Sequence, residues 1–353
     1  MSFYKIDDKA MLRGSFNGIV SVEKNGISIF EKVHNNLPVE NPTSKSLFFI
    51  GSITKQMLAA IILKYIELGI LDLYAPISNY LTLLEDVLGA NSITLENLLT
   101  HTSGLVESRG RKNAVGYNFN LKMKGTFLYA NQGYELAGKI VTKISGKSLE
   151  SLYQELFYQC DMKDSFIINN DDCDISTIKE THPRLIQGYM FVPPLHSLIM
   201  STGILTDAWN IKSGYSLVKQ PFKDGFQYLY PQAGNVVSTI QDLHKWNHCF
   251  GKIFKENLTM QEYVKSRVFN IKCDGRLYDF CLGMRKTIQE PIEYGQSGWI
   301  YGYQSTSVFF PEQRISAVIF ENVSRIGGIR IPPLDFSIHN MIVANVRSYI
   351  NAL

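Results

Sequence analysis

The 353-residue chain predicts an α+β fold in which strands from both ends of the sequence form one antiparallel sheet flanked by helices. Alternating apolar and polar residues, typical of a strand with one buried face, occur near the N-terminus and again after residue 300. Helical periodicity is found mainly between these two regions. We therefore expect a mainly helical segment inserted into a sheet domain, with enough residues to bury a large core.

The first strand signal is a β-hairpin over residues 16–33. Val20 and Val22 alternate with polar residues, and the alternation resumes around Ser28. Asn25-Gly26 separates the two runs, and these residue types favour a type I′ turn, which needs positive φ at both central positions. The sequence therefore predicts two antiparallel strands joined by a two-residue turn.

The periodicity changes after Gly51-Ser52, where a helix is predicted. Gly69 follows the apolar run at the position of a helix C-cap. The apolar face of this helix consists of Leu58, Ile61, Ile62, Tyr65 and Ile66. Ser52 is therefore expected at the start of a buried helix.

Further elements are predicted in the middle and at the end of the chain. Thr94 is a candidate N-cap, and residues 134–144 have a helical pattern. Residues 165–230 are rich in Asn, Asp, Pro and Gly, which indicates long surface loops. Strands are predicted over Ser305–Phe310 and Ile315–Phe320, and a final helix follows them.

The order of these elements predicts two domains. Residues 1–60 and 230–353 form a discontinuous α/β sandwich domain. Residues 61–229 form the inserted, mainly helical domain with long loops.

Composition narrows the classes of function. A net charge of +3 without a long run of Lys and Arg argues against nucleic-acid binding. No stretch reaches the roughly 18 uninterrupted apolar residues of a membrane span, and the first residues lack the apolar middle of a signal peptide. The expected location is therefore the cytoplasm. The five cysteines contain no C-x-x-C pair, which favours reduced thiols over disulfides or a zinc site.

Ser52-Ile53-Thr54-Lys55 is the first candidate for chemistry. Residues three apart on a helix are neighbours, so the amine of Lys55 can reach the hydroxyl of Ser52. Serine needs a partner that removes its proton, and a buried lysine can act as that partner because burial disfavours its charged form. The backbone N–H of Ser52 at a helix N-terminus is also a candidate oxyanion donor.

Other segments give this motif a context. The stretches that carry the resemblance are FIGSITKQMLAAIILKYIELGILDLYAPISNYL, ITLENLLTHTSGL, YANQGYELAGKIV, RLIQGY, AGNVVSTIQDLHKW and YGQSGWIYGYQS. In this order they closely resemble the serine β-lactamase-like family, in the branch that groups class C β-lactamases, D-Ala-D-Ala carboxypeptidases, D-aminopeptidases and related esterases. The resemblance implies a β-lactamase/transpeptidase-like fold, with the site in the cleft between the two domains.

The resemblance also implies roles for Tyr129-Ala130-Asn131, which matches the second motif of the family, Tyr-x-Asn. In such enzymes the tyrosine oxygen lies near the serine and relays its proton. The asparagine amide holds the substrate and the lysine in place. Tyr129 is therefore expected to be catalytic with Ser52 and Lys55, and Asn131 is expected to bind substrate.

The third motif departs from the family pattern. Relatives carry Lys-Thr-Gly or His-x-Gly on a strand that lines the site, whereas this chain has Gln296-Ser297-Gly298. Gly298 still permits close approach to a ligand, and the N–H of Trp299 is placed to be the second oxyanion donor. A glutamine cannot pair ionically with a substrate carboxylate. We therefore expect weak activity on penicillins and on peptides with a free C-terminal carboxylate.

Three histidines have structural interpretations. His244 and His248 lie four residues apart, but no carboxylate sits beside them as in H-E-x-x-H, which favours a structural role over a metal site. His101, in the family segment LLTHTSGL, is expected to brace a loop through hydrogen bonds.

The sequence thus predicts a serine hydrolase that cleaves a small-molecule or peptide-like ester or amide through an acyl-enzyme on Ser52, and that is not an efficient β-lactamase. No metal or organic cofactor is required. One alternative is an acyltransferase that uses the same acyl-enzyme. The other is a ligand-binding homologue in which Gln296 marks a decayed catalytic site.

Overall fold

The computed structural model describes residues 16–81, 87–106, 117–169, 174–192, 214–219, 230–249, 252–273, 276–325 and 335–353. The strands are β1 (Asn17–Lys24), β2 (Ile27–Asn35), β3 (Phe48–Phe49), β4 (Phe166–Ile167), β5 (Tyr189–Val192), β6 (Gly214–Leu217), β7 (Val236–Ser238), β8 (Val268–Cys273), β9 (Arg276–Phe280), β10 (Arg285–Thr287), β11 (Tyr294–Ile300), β12 (Tyr303–Phe310), β13 (Ile315–Glu321) and β14 (Val323–Arg325). The helices are α1 (Thr54–Glu67), α2 (Leu95–Leu99), α3 (Asn131–Ser145), α4 (Leu149–Gln159), α5 (Ile175–Thr181), α6 (Pro231–Gly234), α7 (Ile240–Cys249), α8 (Asn257–Val264) and α9 (Ser337–Ile350).

The main sheet has eight strands in the order β2-β1-β13-β12-β11-β10-β9-β8. Its neighbouring strands are antiparallel, and β1 from the start of the chain pairs with β13 near its end. Two three-stranded sheets, β14-β5-β6 and β3-β7-β4, lie beside it. The α+β fold with an antiparallel sheet from both ends of the chain is therefore confirmed.

The N-terminal hairpin has the predicted geometry. Asn25 and Gly26 have φ values of 54° and 76°, as a type I′ turn requires. β1 and β2 pair on either side of this turn, with one register shift at Val22/Glu23. β2 forms one edge of the main sheet, and β8 forms the other.

Helices cover both faces of the main sheet. On one face α1 is almost wholly buried over its first ten residues and contacts α3, α4 and α8. On the other face α9 packs apolar side chains, among them Ile342 and Val346, against residues of β1, β12 and β13. These layers place the N-terminus of α1 beside the sheet, and this junction holds the candidate site.

The N-terminus of α2 is capped by Thr94, as the sequence predicts. The Thr94 side chain accepts a hydrogen bond from the Asn97 backbone N–H, and the Asn97 side chain accepts one from the Thr94 N–H. The final helix is also confirmed as α9. Ser52 differs in detail from the prediction. It lies in the 3₁₀ turn Gly51–Ile53, and the α-helix begins two residues later.

The division into two domains stays a prediction. The predicted boundary after residue 60 falls inside α1, which runs without a break to Glu67. The predicted loop region 165–230 lies in part outside the described residues, and its described part contains β4, α5, β5 and β6.

Two further features concern the cysteines and the helices. Cys160, Cys249 and Cys281 carry free thiols. Across the described ranges, no helix combines the length and the apolar character that crossing a bilayer demands.

Candidate active site

Ser52 and Lys55 are in direct contact. The Lys55 Nζ donates a hydrogen bond of 3.1 Å to the Ser52 Oγ. Ser52 is half-buried, whereas the side chain of Lys55 is fully buried. The 3₁₀ turn followed directly by α1 brings the two residues to the same side of the chain. The hydroxyl is therefore accessible, and the amine beside it is shielded from water.

The other neighbours of the Lys55 amine explain how a charged group is tolerated there. Nζ donates a hydrogen bond of 2.7 Å to the backbone oxygen of Ala233, in α6. It also lies 5.2 Å from the ring centroid of Tyr129 and 5.5 Å from that of Tyr134. Two oxygen acceptors and two aromatic faces replace part of the hydration lost on burial.

The Tyr129-Ala130-Asn131 segment enters α3 next to this amine. Tyr129 is 39% exposed, so its ring is in part open to solvent. Asn131 is buried at the first position of α3. The ring of Tyr129 thus stands between solvent and the buried Lys55.

His101 holds this segment in place. Its ring stacks on Tyr129 with 4.1 Å between centroids, and its Nδ1 accepts a hydrogen bond of 3.1 Å from the Ala130 N–H. Burial lowers the pKa of His101 well below its usual range, and the charge of Lys55 lowers it further. The imidazole is therefore neutral near pH 7 and can accept this bond. The predicted bracing role agrees with this geometry.

β11 forms the opposite wall. A Cβ added to Gly298 would lie 1.9 Å from the Ile50 oxygen, and one added to Gly51 would lie 2.7 Å from the Trp299 nitrogen. The Gly298–Trp299 peptide is thus pressed against the turn that carries Ser52. β10 pairs with β11 at Tyr294 and Gly295. Beyond these two residues, the edge of β11 faces the turn that carries Ser52.

The two polar residues of the third motif have different surroundings. Gln296 is buried, and Ser297 is half-buried. The Ser297 Oγ accepts a hydrogen bond of 2.9 Å from Nη2 of Arg285, which projects from β10. Sequence reasoning missed Arg285. The contact depends on pairing between β10 and β11, and no local motif signals it.

The structure shows, for the residues that it describes, no group of three His, Cys, Asp or Glu side chains that could hold a metal ion. His244 hydrogen-bonds to Ser316 at 2.7 Å and to Ser21 at 2.9 Å, and His248 contacts Glu23 at 3.1 Å. Both histidines therefore have structural hydrogen-bond partners.

Comparison with known proteins identifies the family of this chain. The sequence pattern of the β-lactamase family matches residues 18–327. The chain belongs to the β-lactamase family. Among curated proteins, this chain is similar to the putative penicillin-binding protein PbpX of Bacillus subtilis (strain 168), with 28% identity over 149 residues. That match covers 38% of this chain and only 37% of the relative's length.

Solved structures share the β-lactamase-family fold over nearly the whole chain. D-amino acid amidase from Ochrobactrum anthropi SV3, complexed with D-phenylalanine, has a TM-score of 0.73 at 18% identity and covers 99% of this chain and 98% of its own. A class C β-lactamase from Rhodobacter sphaeroides has a TM-score of 0.70 at 15% identity, with 98% of each chain covered. At these identities the likeness establishes the β-lactamase/transpeptidase-like fold alone.

The structure brings the sequence-predicted site residues to one junction. Ser52, Lys55 and Tyr129 are linked by the contacts of the Lys55 amine. Gly298 and Trp299 lie against the turn that carries Ser52. The remaining predicted residues are Asn131, Gln296 and Ser297, the first at the start of α3 and the other two on β11. The individual roles of all eight residues stay predictions.

Proposed function

We propose that this protein is a serine hydrolase that cleaves an amide or an ester through an acyl-enzyme on Ser52. The observation that carries the proposal is the 3.1 Å hydrogen bond between the Lys55 amine and the hydroxyl of the half-buried Ser52. A structural lysine gains little from full burial, because desolvation of its charge is costly. A lysine that assists a nucleophile requires this placement.

In the proposed first half-reaction, the Ser52 Oγ forms a bond to the substrate carbonyl carbon while its proton passes to the neutral amine form of Lys55 or, when Lys55 is charged, to the phenolate form of Tyr129. The tetrahedral intermediate then collapses, the bond to the leaving group breaks, and the leaving group takes a proton from the same pair. In the second half-reaction a water oxygen bonds to the acyl carbon and gives a proton to the same pair. The bond between the acyl carbon and the Ser52 Oγ then breaks, Ser52 takes this proton back, and the acid is released. Proton transfer by positioned side chains of this kind is worth roughly a factor of 10²–10⁴ in rate.

We assign the oxyanion to the backbone N–H groups of Ser52 and Trp299. The position of the Trp299 nitrogen against Gly51 supports this assignment, because it puts both donors on the same side of the cleft as the nucleophile. Donors fixed in a partly buried site stabilise the developing negative charge without having to reorganise.

For the substrate, we propose an amide or ester without a free carboxylate next to the leaving group. Gln296 is neutral and occupies the position of the lysine or histidine of the third motif in relatives. The names of the structural relatives, an amidase and a β-lactamase, support cleavage of a carbonyl–nitrogen bond. Efficient hydrolysis of a cephalosporin by the purified protein would contradict the proposed preference.

The acyltransferase alternative shares every step up to the acyl-enzyme. It differs only in the acceptor, because an alcohol or amine replaces water. Product analysis with added acceptors separates the two. The alternative of a decayed binding protein is less well supported, since decay would not maintain a buried lysine in contact with Ser52.

Intact mass spectrometry tests the proposal. The protein is incubated with a fluorophosphonate or, separately, with a penicillin, and adducts are located by peptide mapping. We expect a fluorophosphonate adduct on Ser52 that is lost in Ser52→Ala and kept in Ser348→Ala, a control at an exposed serine of α9. We expect little penicillin adduct. Absence of both adducts would support the binding-protein alternative, and an adduct elsewhere would refute the site.

A further inference from the structure

Two cysteines that the proposed mechanism does not use meet at the ends of two helices. Cys160 is the C-cap of α4, and Cys249 is the last residue of α7. The Cys249 Sγ lies 3.8 Å from the backbone oxygen of Gln159, the residue before Cys160, and the two thiols share a side-chain hydrogen bond. Both thiols are free. Their sulfur atoms are therefore in contact, although the two residues lie about 90 positions apart in sequence.

The two thiols differ in exposure. Cys160 is buried, with 4% of its surface exposed, whereas Cys249 is half-buried. A small oxidant in solution therefore reaches Cys249 first. Cys160 is placed to react with the Cys249 sulfur instead of with the oxidant.

The charges around this pair favour Cys249 as the thiolate. The hydrogen bond from Cys160 lowers the pKa of the Cys249 thiol, and the charges of Lys252 and Lys64 lower it further, against the opposing effect of burial. The same bond and burial raise the pKa of Cys160. The backbone explains why Lys252 is near, because its N–H donates to the Cys249 oxygen at 2.7 Å. The thiolate is the form of cysteine that attacks an oxidant, so exposure and charge select the same residue.

The helices that carry the two thiols also hold the residues on either side of Lys55. On α4, the Tyr153 hydroxyl donates to the backbone oxygen of Thr54 at 3.3 Å. On α7, the Trp246 Nε1 donates to the Gln56 Oε1 at 3.0 Å. All five of these side chains are buried. A covalent bond between α4 and α7 would therefore join two helices that both support the start of α1.

We propose that Cys160 and Cys249 are a redox-active pair, in which a hydroperoxide oxidises Cys249 and Cys160 then closes a disulfide that joins α4 to α7. Cys249 is the reacting thiol, and Cys160 is the resolving thiol. The inference is independent of the proposed hydrolase, because neither cysteine takes part in acyl transfer.

The two steps balance with hydrogen peroxide as the oxidant. The Cys249 thiolate bonds to one peroxide oxygen, the O–O bond breaks, and the departing hydroxide takes a proton to become water, which leaves a sulfenic acid. The Cys160 sulfur then bonds to the Cys249 sulfur, the S–O bond breaks, and the departing hydroxide takes the Cys160 proton. Two thiols and one peroxide thus give one disulfide and two waters.

Peptide mapping under non-reducing conditions tests the pairing in the native protein. The reduced protein is treated with hydrogen peroxide, the remaining thiols are alkylated, and the peptides are identified by mass. We expect a peptide that contains Cys160 disulfide-bonded to Cys249 and is lost after dithiothreitol. A disulfide from either residue to another cysteine, or full alkylation of both after peroxide treatment, would overturn the proposal.

Variants separate the roles of the two thiols. In Cys160→Ala, Cys249 should stop at the sulfenic acid, which dimedone traps as a stable adduct. In Cys249→Ser, oxidation of Cys160 should be at least about tenfold slower than in the native protein, because the buried thiol is neither exposed nor ionised. Cys281→Ser replaces another buried thiol and should form the disulfide at the native rate. Equally fast oxidation of Cys160 in Cys249→Ser would refute the assigned order.

Thermal unfolding measures what the cross-link does. A disulfide that closes a loop of about 90 residues restricts the unfolded chain. The oxidised native protein should therefore melt at least about 3 °C above the reduced one, and dithiothreitol should reverse the shift. Cys249→Ser should show no such shift after the same treatment. An unchanged or lower melting temperature in protein shown to carry the Cys160–Cys249 bond would refute the stabilising role of the cross-link.

Discussion

The amine of Lys55 carries a charge into the interior and is held there by oxygen and aromatic groups. Ser52 and the Ala233 carbonyl accept its hydrogen bonds, and two tyrosine rings lie near it. Removal of the amine leaves the Ala233 carbonyl without this donor and the Ser52 hydroxyl without its basic neighbour. The two losses have different signatures, one in stability and the other in reactivity.

Lys55→Met separates these signatures, because it keeps the aliphatic stem and removes the charge. We expect fluorophosphonate labelling of Ser52 to slow by about 100-fold or more, since a general base contributes roughly 10²–10⁴ in rate. Labelling is followed by intact mass over time. Lys64→Met, on the same helix, is the control and should label at the original rate. A Lys55→Met protein that labels normally would show that another group activates Ser52.

Sequence reasoning found residues that lie close together in the chain or belong to a family motif. It missed residues that are far apart in sequence and meet only in the fold. Ser52 and Lys55 are three positions apart, so helical geometry alone brings them together. Tyr129, Asn131 and the third motif were found through their resemblance to a family. Arg285 gave no signal, since the pairing of β10 with β11 brings it to Ser297. The contact between Cys160 and Cys249 likewise depends on how α4 and α7 pack.

At the level of elements, β11 must approach the Ser52 turn at backbone distance. Gly298→Ala would put a Cβ 1.9 Å from the Ile50 oxygen and 2.5 Å from the Ser305 Oγ, which itself donates to Ile50 at 2.7 Å. The clash involves backbone, so the strand and the turn must separate. We expect loss of Ser52 labelling and a lower melting temperature.

The control for Gly298→Ala is Gly69→Ala, at the end of α1. Gly69 has a φ of 69° and open space around its missing Cβ, so alanine there brings backbone strain without a clash. That strain costs roughly 1–2 kcal/mol. Labelling of Ser52 should stay normal in Gly69→Ala. Normal labelling in Gly298→Ala as well would show that the close approach is not needed.

His244 joins α7 to the main sheet through Ser316 of β13 and Ser21 of β1. Burial lowers its pKa from 6.5 to about 4. The unfolded chain therefore binds this proton at a higher pH than the folded one. Stability due to the neutral imidazole is full above pH 6.5 and is lost as pH falls towards 4. His101 shifts in the same direction and adds to the loss.

Urea unfolding at pH 7 and pH 5 measures this linkage. His244 alone should account for a loss of about 2 kcal/mol in the free energy of unfolding between these two values. In His244→Gln the loss should be smaller by about that amount. Comparing the loss between pH 7 and pH 5 in the two proteins cancels the contributions of the titratable groups that both share. Identical losses would mean that His244 is accessible to protons in the folded state.

Across the whole molecule, the sheet depends on residues far apart in sequence. The hairpin β1–β2 and the strands β12 and β13 were predicted because each has an unbroken local pattern. β8–β10 were not predicted. The register of β8 with β9 shifts between Val268 and Ile271, and Asn270 between them has a φ of 58°, so the alternation is broken there. The pairing of β1 with β13 came only from the general expectation that the two ends share a sheet.

The helix α9 closes the face of the sheet opposite Ser52, which makes its removal a test of the whole fold. Its buried apolar residues are Ile342, Val343, Val346 and Ile350. Burial of four such side chains contributes roughly 6–12 kcal/mol, a sum similar to the roughly 5–15 kcal/mol by which folded proteins are stable. Deletion of residues 335–353 should therefore abolish cooperative urea unfolding and, with it, labelling of Ser52.

Graded changes in the same helix show whether the deletion acts through packing. Ile342→Val should cost about 1 kcal/mol and Ile342→Ala about 2–5 kcal/mol in the free energy of unfolding. Leu258→Ala, at a side chain of α8 that is 68% exposed, is the control and should change it by less than about 0.5 kcal/mol. A deletion variant that still unfolds cooperatively would show that β1, β12 and β13 hold together without α9.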